Sequence, residues 1–583
     1  MERVFEGLGV SGGIGFGIAH IRESGMCEVT EYCIPDNRLD DELDRLEKAL
    51  EKSRDQLAKL RQKAKKLPET AAEELGYLLD AHQHMLKESR LVRGVRDHIR
   101  TQKRNAEAAL QHVLDDITES FKALDDAYIA SRQSDVHQVA ARVMRNLCAE
   151  PHQPFYDLPE NSIIIAEELT PADTALMDPK TVAGFATVLG GPESHTAIMA
   201  RALSLPAVLG TAGVLGAIHT GDKVIIDGDA GRVIVNPSPK TVTFYEKRAE
   251  ENERKTAQLA YLKDRKAQTR DGISVTLKAN MELPIEIDNI INNGAEGVGL
   301  LRSEFMYMNR DSLPDEDDQF SVFKSIMDKL DGKPLTIRTL DIGGDKTAKS
   351  LIDDFGDSIC SPLGMRGIRL SLNRPDILET QYRALLRAAT LGPVQILLPM
   401  VTSVNDVRQA RSFLHEVADK LRQEGCNLPD KLPPLGAMIE VPGAALSADA
   451  LAKVCDFFAI GSNDLTMYTL ATDRADEQVA HLFDPMHPAV LRLIQFSTQA
   501  ALRNNIPISV CGEMAGNPRF TALLLGLGIR DLSMSATNIP KIKQRILELE
   551  EDAAVQRAHI VMDQTDSGRI AMLLDDFNDR GNL

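Results

Sequence analysis

Beyond Asp271, eight short runs rich in aliphatic and β-branched residues alternate with stretches of helical spacing. The runs fall at 274–279, 298–301, 335–340, 395–399, 435–440, 457–460, 507–511 and 531–533. Short strands separated by helices demand parallel pairing, because each crossover must carry the chain back to the same edge. Eight such units in about 310 residues predict a (β/α)₈ barrel, with an open doubly wound sheet as the alternative. Polar residues end or closely follow these runs: Asn280, Arg302, Arg338, Glu440, Asn463, Asp464 and Cys511. A barrel collects every C-terminal strand end into one ring of loops, whereas an open sheet spreads them along a line. That difference favours the barrel.

The ring so formed is predominantly cationic. Arg302 lies in Gly299-Leu300-Leu301-Arg302-Ser303-Glu304-Phe305, and Arg338 opens a stretch that runs through Asp341, Gly343 and Gly344 to Lys346. Arg366 follows Gly364-Met365, and Arg474 follows Asp473. Guanidinium groups bind phosphate and carboxylate bidentately, so this set suits a small anion carrying both. Glu440 and Asp464 add hard oxygen ligands from two strand ends, few enough to suit Mg²⁺ that takes its other ligands from water and substrate. They serve equally as partners that neutralise the arginines. Cys511 precedes Gly512-Glu513-Met514-Ala515-Gly516, where an ordinary thiol is mostly protonated near neutral pH and can give up a proton.

A second constellation lies upstream, in Leu189-Gly190-Gly191-Pro192-Glu193-Ser194-His195-Thr196-Ala197. The β-leaning residues 182–188 precede it, and small apolar residues of helical spacing follow to Leu203. The glycines and proline therefore mark a tight strand-to-helix turn. Ser194 is a plausible helix N-cap, which puts His195 in the first turn. Unpaired N–H groups there favour an anion and disfavour imidazolium, leaving a neutral ring with a free lone pair. A neutral imidazole beside an anion site is suited to accept a phosphoryl group, although such a histidine can also be only a helix cap or proton shuttle.

The segments around this turn form an α/β domain with a helical excursion inside it. Residues 1–20 carry alternating Ile14, Phe16 and Ile18 among six glycines, reading as a short strand; a GxGxxG-like match there is weak because no βαβ unit follows. From Asp36, leucines and valines recur at three, four or seven residues (Leu39 to Leu60, Leu75 to Leu86, Leu110 to Tyr128, Val136 to Leu147), which predicts a bundle of four helices. Strand texture returns at 162–166, 183–188, 223–226 and 232–235, with Asp227-Gly228-Asp229-Ala230-Gly231 as a hairpin turn. The expected domains are 1–35 with 148–240, the helical insert 36–147, a charged linker helix 241–270, and the barrel 271–583. A net charge of −19 argues against a nucleic-acid partner, and seven scattered cysteines without C-x-x-C spacing suit a reducing compartment. No apolar run approaches about 18 residues and Met1-Glu2-Arg3 does not open a signal peptide, so a cytoplasmic protein without membrane insertion is expected.

Together the Gly190–Arg201 stretch, the Arg302, Arg338 and Arg366 segments, Met438-Ile439-Glu440, Gly461 to Arg474 and Cys511 to Gly516 resemble enzyme I of the phosphoenolpyruvate-dependent phosphotransferase system, over nearly the full chain. The resemblance implies that His195 is phosphorylated, with Thr170 the hydroxyl beside its ring. It implies that Arg302, Arg338, Asn463 and Arg474 grip phosphoenolpyruvate, with Arg366 and Lys346 as further contacts. Glu440 and Asp464 then hold Mg²⁺ and Cys511 protonates the pyruvate enolate. A mobile phosphohistidine domain, a small histidine phosphocarrier docked on the helical insert, and a homodimer formed through the barrel are implied as well. Pro192-Glu193, Ser303, Met467 and Asn517 depart from the commonest pattern, and the insert matches least well. A dikinase would need a large ATP-binding domain, for which the 195 residues up to the histidine leave no room. The other alternative is a non-catalytic sensor of phosphoenolpyruvate or carrier, and the motifs leave the sugar and nitrogen-related branches unseparated.

Overall fold

The computed structural model describes residues 2–22, 32–35, 38–64, 82–87, 89–122, 136–137, 139–144, 146–147, 158–169, 177, 180–191, 195–203, 205–307, 312–342, 361–473 and 478–580. The chain separates into two compact units, Met1–Glu251 and Asn252–Leu583.

The first unit is built on an eight-stranded sheet. Its strands are β1 (Arg3–Glu6), β2 (Leu8–Ser11), β3 (Ile14–Arg22), β4 (Ser162–Ala166), β5 (Val182–Thr187), β6 (Ala207–Leu209), β7 (Lys223–Asp227) and β8 (Arg232–Val235), in the order β1-β8-β7-β3-β4-β5-β6-β2. The two edge strands, β1 and β2, are separated in sequence by Gly7 alone, so the sheet must curl until its edges meet. A side chain does not fit at that seam, where a Cβ on Gly7 would lie 2.5 Å from the Leu209 carbonyl oxygen; within the sheet, one on Gly17 of β3 would lie only 2.0 Å from that of Asn161. The glycine-rich N-terminus is therefore a set of close backbone approaches between strands rather than a phosphate-binding loop. Residue alternation along β4 and β5 feeds two apolar layers. Ile164 and Phe185 pack with Ala197, Ala200 and Leu209 on one face, while Ile163, Ile165 and Ala186 pack with Val208 and Val224 on the other. The hairpin between β7 and β8 forms as the Asp-Gly signal predicts, with the Ala230 N–H donating to Asp227 Oδ1 at 3.0 Å.

The helices Leu39–Ala64, Arg90–Gln102 and Ala106–Lys122 enclose a core of their own with Val139, Val143 and Leu147. The helix Arg90–Gln102 is an addition to the sequence expectation. Its buried Leu91, Val92, Val95 and Ile99 follow helical spacing, and the Ser89 hydroxyl caps it by accepting from the Val92 N–H. The helix anticipated around Leu75 to Leu86 lies largely outside the described residues.

The second unit is a closed barrel of eight parallel strands. They are β9 (Thr276–Met281), β10 (Val298–Arg302), β11 (Leu335–Arg338), β12 (Val394–Leu398), β13 (Leu435–Ile439), β14 (Phe458–Ile460), β15 (Ile508–Val510) and β16 (Asp531–Met534), with β16 pairing back to β9. Every one of the eight strands expected from sequence is present, displaced by no more than two residues at either end. Outward residues such as Leu277, Ile337, Ile396, Ala437 and Ile460 are sealed by the surrounding helices. The inward Leu300, Leu397, Met438, Phe457, Ala459 and Cys511 fill the lumen, so the barrel is a packed core whose chemistry must occur at its rim.

The connecting helix spans Pro239–Ala260, shorter than the 241–270 expected. No proline or glycine stops it. Leu262 is instead drawn into the barrel unit, where the buried Lys543 ammonium donates to the carbonyls of Leu262 and Lys263, each at 3.0 Å. The last carbonyls of the helix, those of Leu259 and Ala260, accept from the N–H groups of Leu262 and Lys263 in a tightened final turn, and the buried lysine holds the chain just beyond it. No helix among the described residues is long and apolar enough to cross a membrane.

Candidate active site

The strand register delivers the polar residues to one rim. Arg302 ends β10 and pairs with Glu282, while Arg338 ends β11 directly beside it. Arg338 is buried between two carboxylates, with Nη2 at 2.7 Å from Glu304 Oε1 and Nη1 at 3.0 Å from Asp341 Oδ2. Asp341 also receives a fork from Arg366, whose Nε and Nη2 lie 3.2 and 2.9 Å from its two oxygens. Arg366 Nη1 reaches the Tyr468 hydroxyl at 3.2 Å, and that hydroxyl donates to the Pro362 carbonyl at 2.8 Å. Burial works to lower the affinity of both arginines for their protons. The facing carboxylates (Glu304, Asp341, Glu440 and Asp464 for Arg338, Asp341 and Asp464 for Arg366) outweigh it, and both groups stay firmly cationic.

Glu440 directly follows β13 and is fully buried. Its Oε1 accepts from the Met400 N–H at 2.5 Å, and its Oε2 has no hydrogen-bond partner. A Cβ at Gly461 would come within 3.1 Å of that free oxygen, so the glycine keeps the space in front of it open. Burial, reinforced by the charges of Asp464 and Asp341, pushes the Glu440 carboxyl up to about 8. Asp464 and Asn463 sit in the first turn of the helix Ser462–Leu470 that follows β14. Asn463 is braced by Glu513, its amide donating to Oε1 and its Oδ1 accepting from the backbone N–H, each at 3.0 Å.

Cys511 follows β15 and is 4 % exposed, with Sγ 3.5 Å from the Ile460 carbonyl oxygen. Burial, helped by the charge of Glu440 and opposed by Arg338 and Arg302, pushes its thiol up to about 12. The group is thus a protonated thiol throughout the neutral range, next to cations and carboxylates alike.

The rim brings together Arg302, Arg338, Arg366, Glu440, Asn463, Asp464 and Cys511. Lys346 and Arg474 lie outside the described residues, as do Thr170, Pro192, Glu193 and Ser194. Glu304, Asp341 and Tyr468 carry no assignment in the sequence reading, yet they hold the two buried arginines. Glu304 and Asp341 fall two residues after Arg302 and three after Arg338, inside motifs that were quoted for their arginines alone.

In the first unit, His195 is the first residue of the helix His195–Ala202, reached from β5 through a turn in which Gly190 has φ of +119°. Only glycine enters that conformation without strain. Thr187 Oγ1 donates to the Leu189 carbonyl at 2.5 Å and the Thr196 hydroxyl to the Leu169 carbonyl at 2.8 Å, fixing the turn from both sides. As expected, the histidine stands at the N-terminal, positive end of its helix.

Three family profiles match the chain: "PEP-utilising enzyme, N-terminal" over residues 6–132, "PEP-utilising enzyme, mobile domain" over 158–231, and "PEP-utilising enzyme, PEP-binding domain" over 256–551. A protein of Priestia megaterium named phosphoenolpyruvate-protein phosphotransferase is 40% identical over 552 residues, covering 94% of this chain and 95% of its own. Proteins of the same name from Listeria innocua (38% over 579 residues, 99% of this chain and 100% of the relative) and Cupriavidus necator (39% over 574 residues, 97% of each) match along the same length. A rim of buried arginines and carboxylates closing a parallel barrel, a histidine heading a helix in a separate unit, and relatives alike from end to end agree on one assignment: the chain belongs to the phosphoenolpyruvate-protein phosphotransferase (enzyme I) family of PEP-utilising enzymes.

Proposed function

We propose that this chain takes the phosphoryl group of phosphoenolpyruvate onto His195, releases pyruvate, and passes the phosphoryl group to a small histidine phosphocarrier protein. The observation that carries this reading is Cys511, a thiol kept protonated at the same barrel rim that holds two buried arginines. A protein that only sensed phosphoenolpyruvate would need the arginines but not a proton donor beside them.

In this reading Arg302, Arg338, Asn463 and Arg474 bind the substrate's phosphate and carboxylate, with Arg366 and Lys346 as further contacts. They also hold the charge of the transferring phosphoryl group. The His195 imidazole attacks phosphorus, with Thr170 proposed as the hydroxyl that assists it; its N–P bond forms as the P–O bond to the enolate breaks. Cys511 then gives its proton to the enolate's methylene carbon, yielding pyruvate, and the resulting thiolate is reprotonated from water.

The free, fully buried Glu440 Oε2 and the neighbouring Asp464 carboxylate fit a divalent cation. Among the described residues no group of three or more His, Cys, Asp or Glu side chains forms a complete cage. Glu440 and Asp464 would therefore hold Mg²⁺ with water and substrate supplying the rest. When bound, the ion supplies positive charge against the phosphate and the developing enolate.

We assign residues 1–35 and 148–240 to the phosphohistidine domain, 36–147 to carrier docking, 241–270 to the linker, and 271–583 to substrate binding and homodimerisation, in a cytoplasmic protein. The test is incubation with phosphoenolpyruvate and Mg²⁺, followed by assay of pyruvate and of acid-labile phosphate on the chain. Stoichiometric labelling of His195 is expected in the wild type and none in His195→Ala. Labelling that survives the substitution overturns the nucleophile.

A further inference from the structure

Gln381 lies outside the rim, in the helix Pro375–Ala388, where its neighbours Leu378, Tyr382, Ala384 and Leu385 are all buried and apolar or aromatic. It is 1 % exposed. An amide in such a layer is costly unless both ends are bonded, and here both are. Its Nε2 donates to Ser303 Oγ at 3.1 Å, and its Oε1 accepts from the Leu340 N–H at 2.9 Å. Ser303, itself fully buried, passes the connection on by donating to the Arg338 carbonyl at 2.7 Å. The Thr339 N–H between these anchors donates to the Leu397 carbonyl of the adjacent strand at 2.9 Å.

The backbone from Arg338 to Leu340 is thus pinned at three consecutive residues, two of the pins leading to one glutamine. What that backbone carries is the Arg338 side chain and, one residue further, the Asp341 carboxylate that holds both Arg338 and Arg366. Ser303 also ties the residue after Arg302 to the same point. We infer that Gln381, acting through Ser303, is a positioning residue that sets the two adjacent arginines of β10 and β11 in register for the phosphoryl-bearing substrate. The assignment rests on the function proposed above, and it requires no contact between Gln381 and the ligand.

The experiment uses the full chain and radiolabelled phosphoenolpyruvate with Mg²⁺, reading the second-order rate constant for labelling of His195 at subsaturating substrate. Gln381→Met keeps the volume and removes both hydrogen bonds; it is expected to lower the rate constant about tenfold, the scale of one or two buried hydrogen bonds. Ser303→Ala should show a loss of the same order, and Ser303→Thr, which keeps the hydroxyl, should restore the wild-type rate. The decisive comparison repeats Gln381→Met in an Arg338→Lys background, where a residue acting through the guanidinium has little left to position and the further loss should fall below about twofold. An equal loss in both backgrounds, an unchanged rate in Gln381→Met, or failure of Ser303→Thr to restore it would overturn the inference. A wild type that consumes phosphoenolpyruvate while the variants are unaffected sinks the positioning role alone. One that never labels sinks the proposed function and this role with it.

Discussion

Replacing Glu440 by glutamine should make the barrel more stable and the protein inactive, and the gain in stability should grow with pH. The Glu440 carboxyl lies at about 8 in the folded chain against 4.5 for an ordinary glutamate. A group whose folded value is raised binds its proton more tightly when folded, so its ionisation opposes folding; stability is lost as pH climbs from the unfolded value through the folded one. The window is therefore pH 4.5 to about 8, with little further change above it. At about 1.4 kcal/mol per unit, roughly two units of that loss fall between pH 6 and pH 9, an upper figure of ~3 kcal/mol. In Glu440→Gln the amide oxygen can still accept from the Met400 N–H, while the amide N–H₂ takes the place of the partnerless Oε2 and faces Asp464 and Asp341 as a donor. Scanning calorimetry of both chains without added divalent cation, at pH 6 and pH 9, should show the barrel transition of the variant rising relative to wild type by a few degrees across that interval. A difference that is flat or reversed between the two pH values would refute the reasoning. Loss of pyruvate formation in the more stable variant is expected because a carboxylate disfavoured by burial and by its acidic neighbours is retained for function rather than for folding.

Cys511→Ala should leave His195 able to take up one phosphoryl group while steady-state pyruvate release falls by about 10²- to 10⁴-fold, the usual share of a positioned general acid; unimpaired pyruvate release would remove the thiol from the mechanism. Gly231 has φ of +65°, and a Cβ there would sit 2.3 Å from the Gly7 carbonyl oxygen. Gly231→Ala is accordingly expected to destabilise the first unit by ~2 kcal/mol or more, seen as a lower urea midpoint for that unit with the barrel transition unmoved, and an unchanged midpoint would mean the seam tolerates a side chain.

Much of this architecture is legible before any coordinates. Parallel strands buried on both faces announce themselves as short aliphatic runs, so all eight barrel strands are found within two residues of their true ends. The turn at Gly190 is equally plain, because glycine is the residue that enters positive φ without strain. Where local signals compete with contacts from afar, the reading loses detail. The linker helix ends at Ala260 with no breaker in the sequence, and the carbonyls just beyond it accept from a buried lysine nearly three hundred positions away. Strand β6, Ala207–Leu209, is too short to show a period and was not anticipated. The N-terminal glycines gave a strand, but their reason, close approach to carbonyls such as those of Leu209 and Asn161, is a property of sheet curvature.

The candidate site divides in the same way. Residue types and their positions after strands were enough to nominate the arginines, Glu440, Asp464 and Cys511, since barrel geometry sends all such positions to one rim. What they could not reveal is which charges are paired with which. That Arg338 is clasped by Glu304 and Asp341, that one oxygen of Glu440 is left without a partner, and that Gln381 bonds Ser303 and the Leu340 N–H from behind the rim are decided by packing between strands and helices distant in sequence. Chemical identity is written locally in the chain, whereas the shifted affinities of Glu440 and Cys511 for protons arise from burial and from neighbours that only the closed barrel assembles.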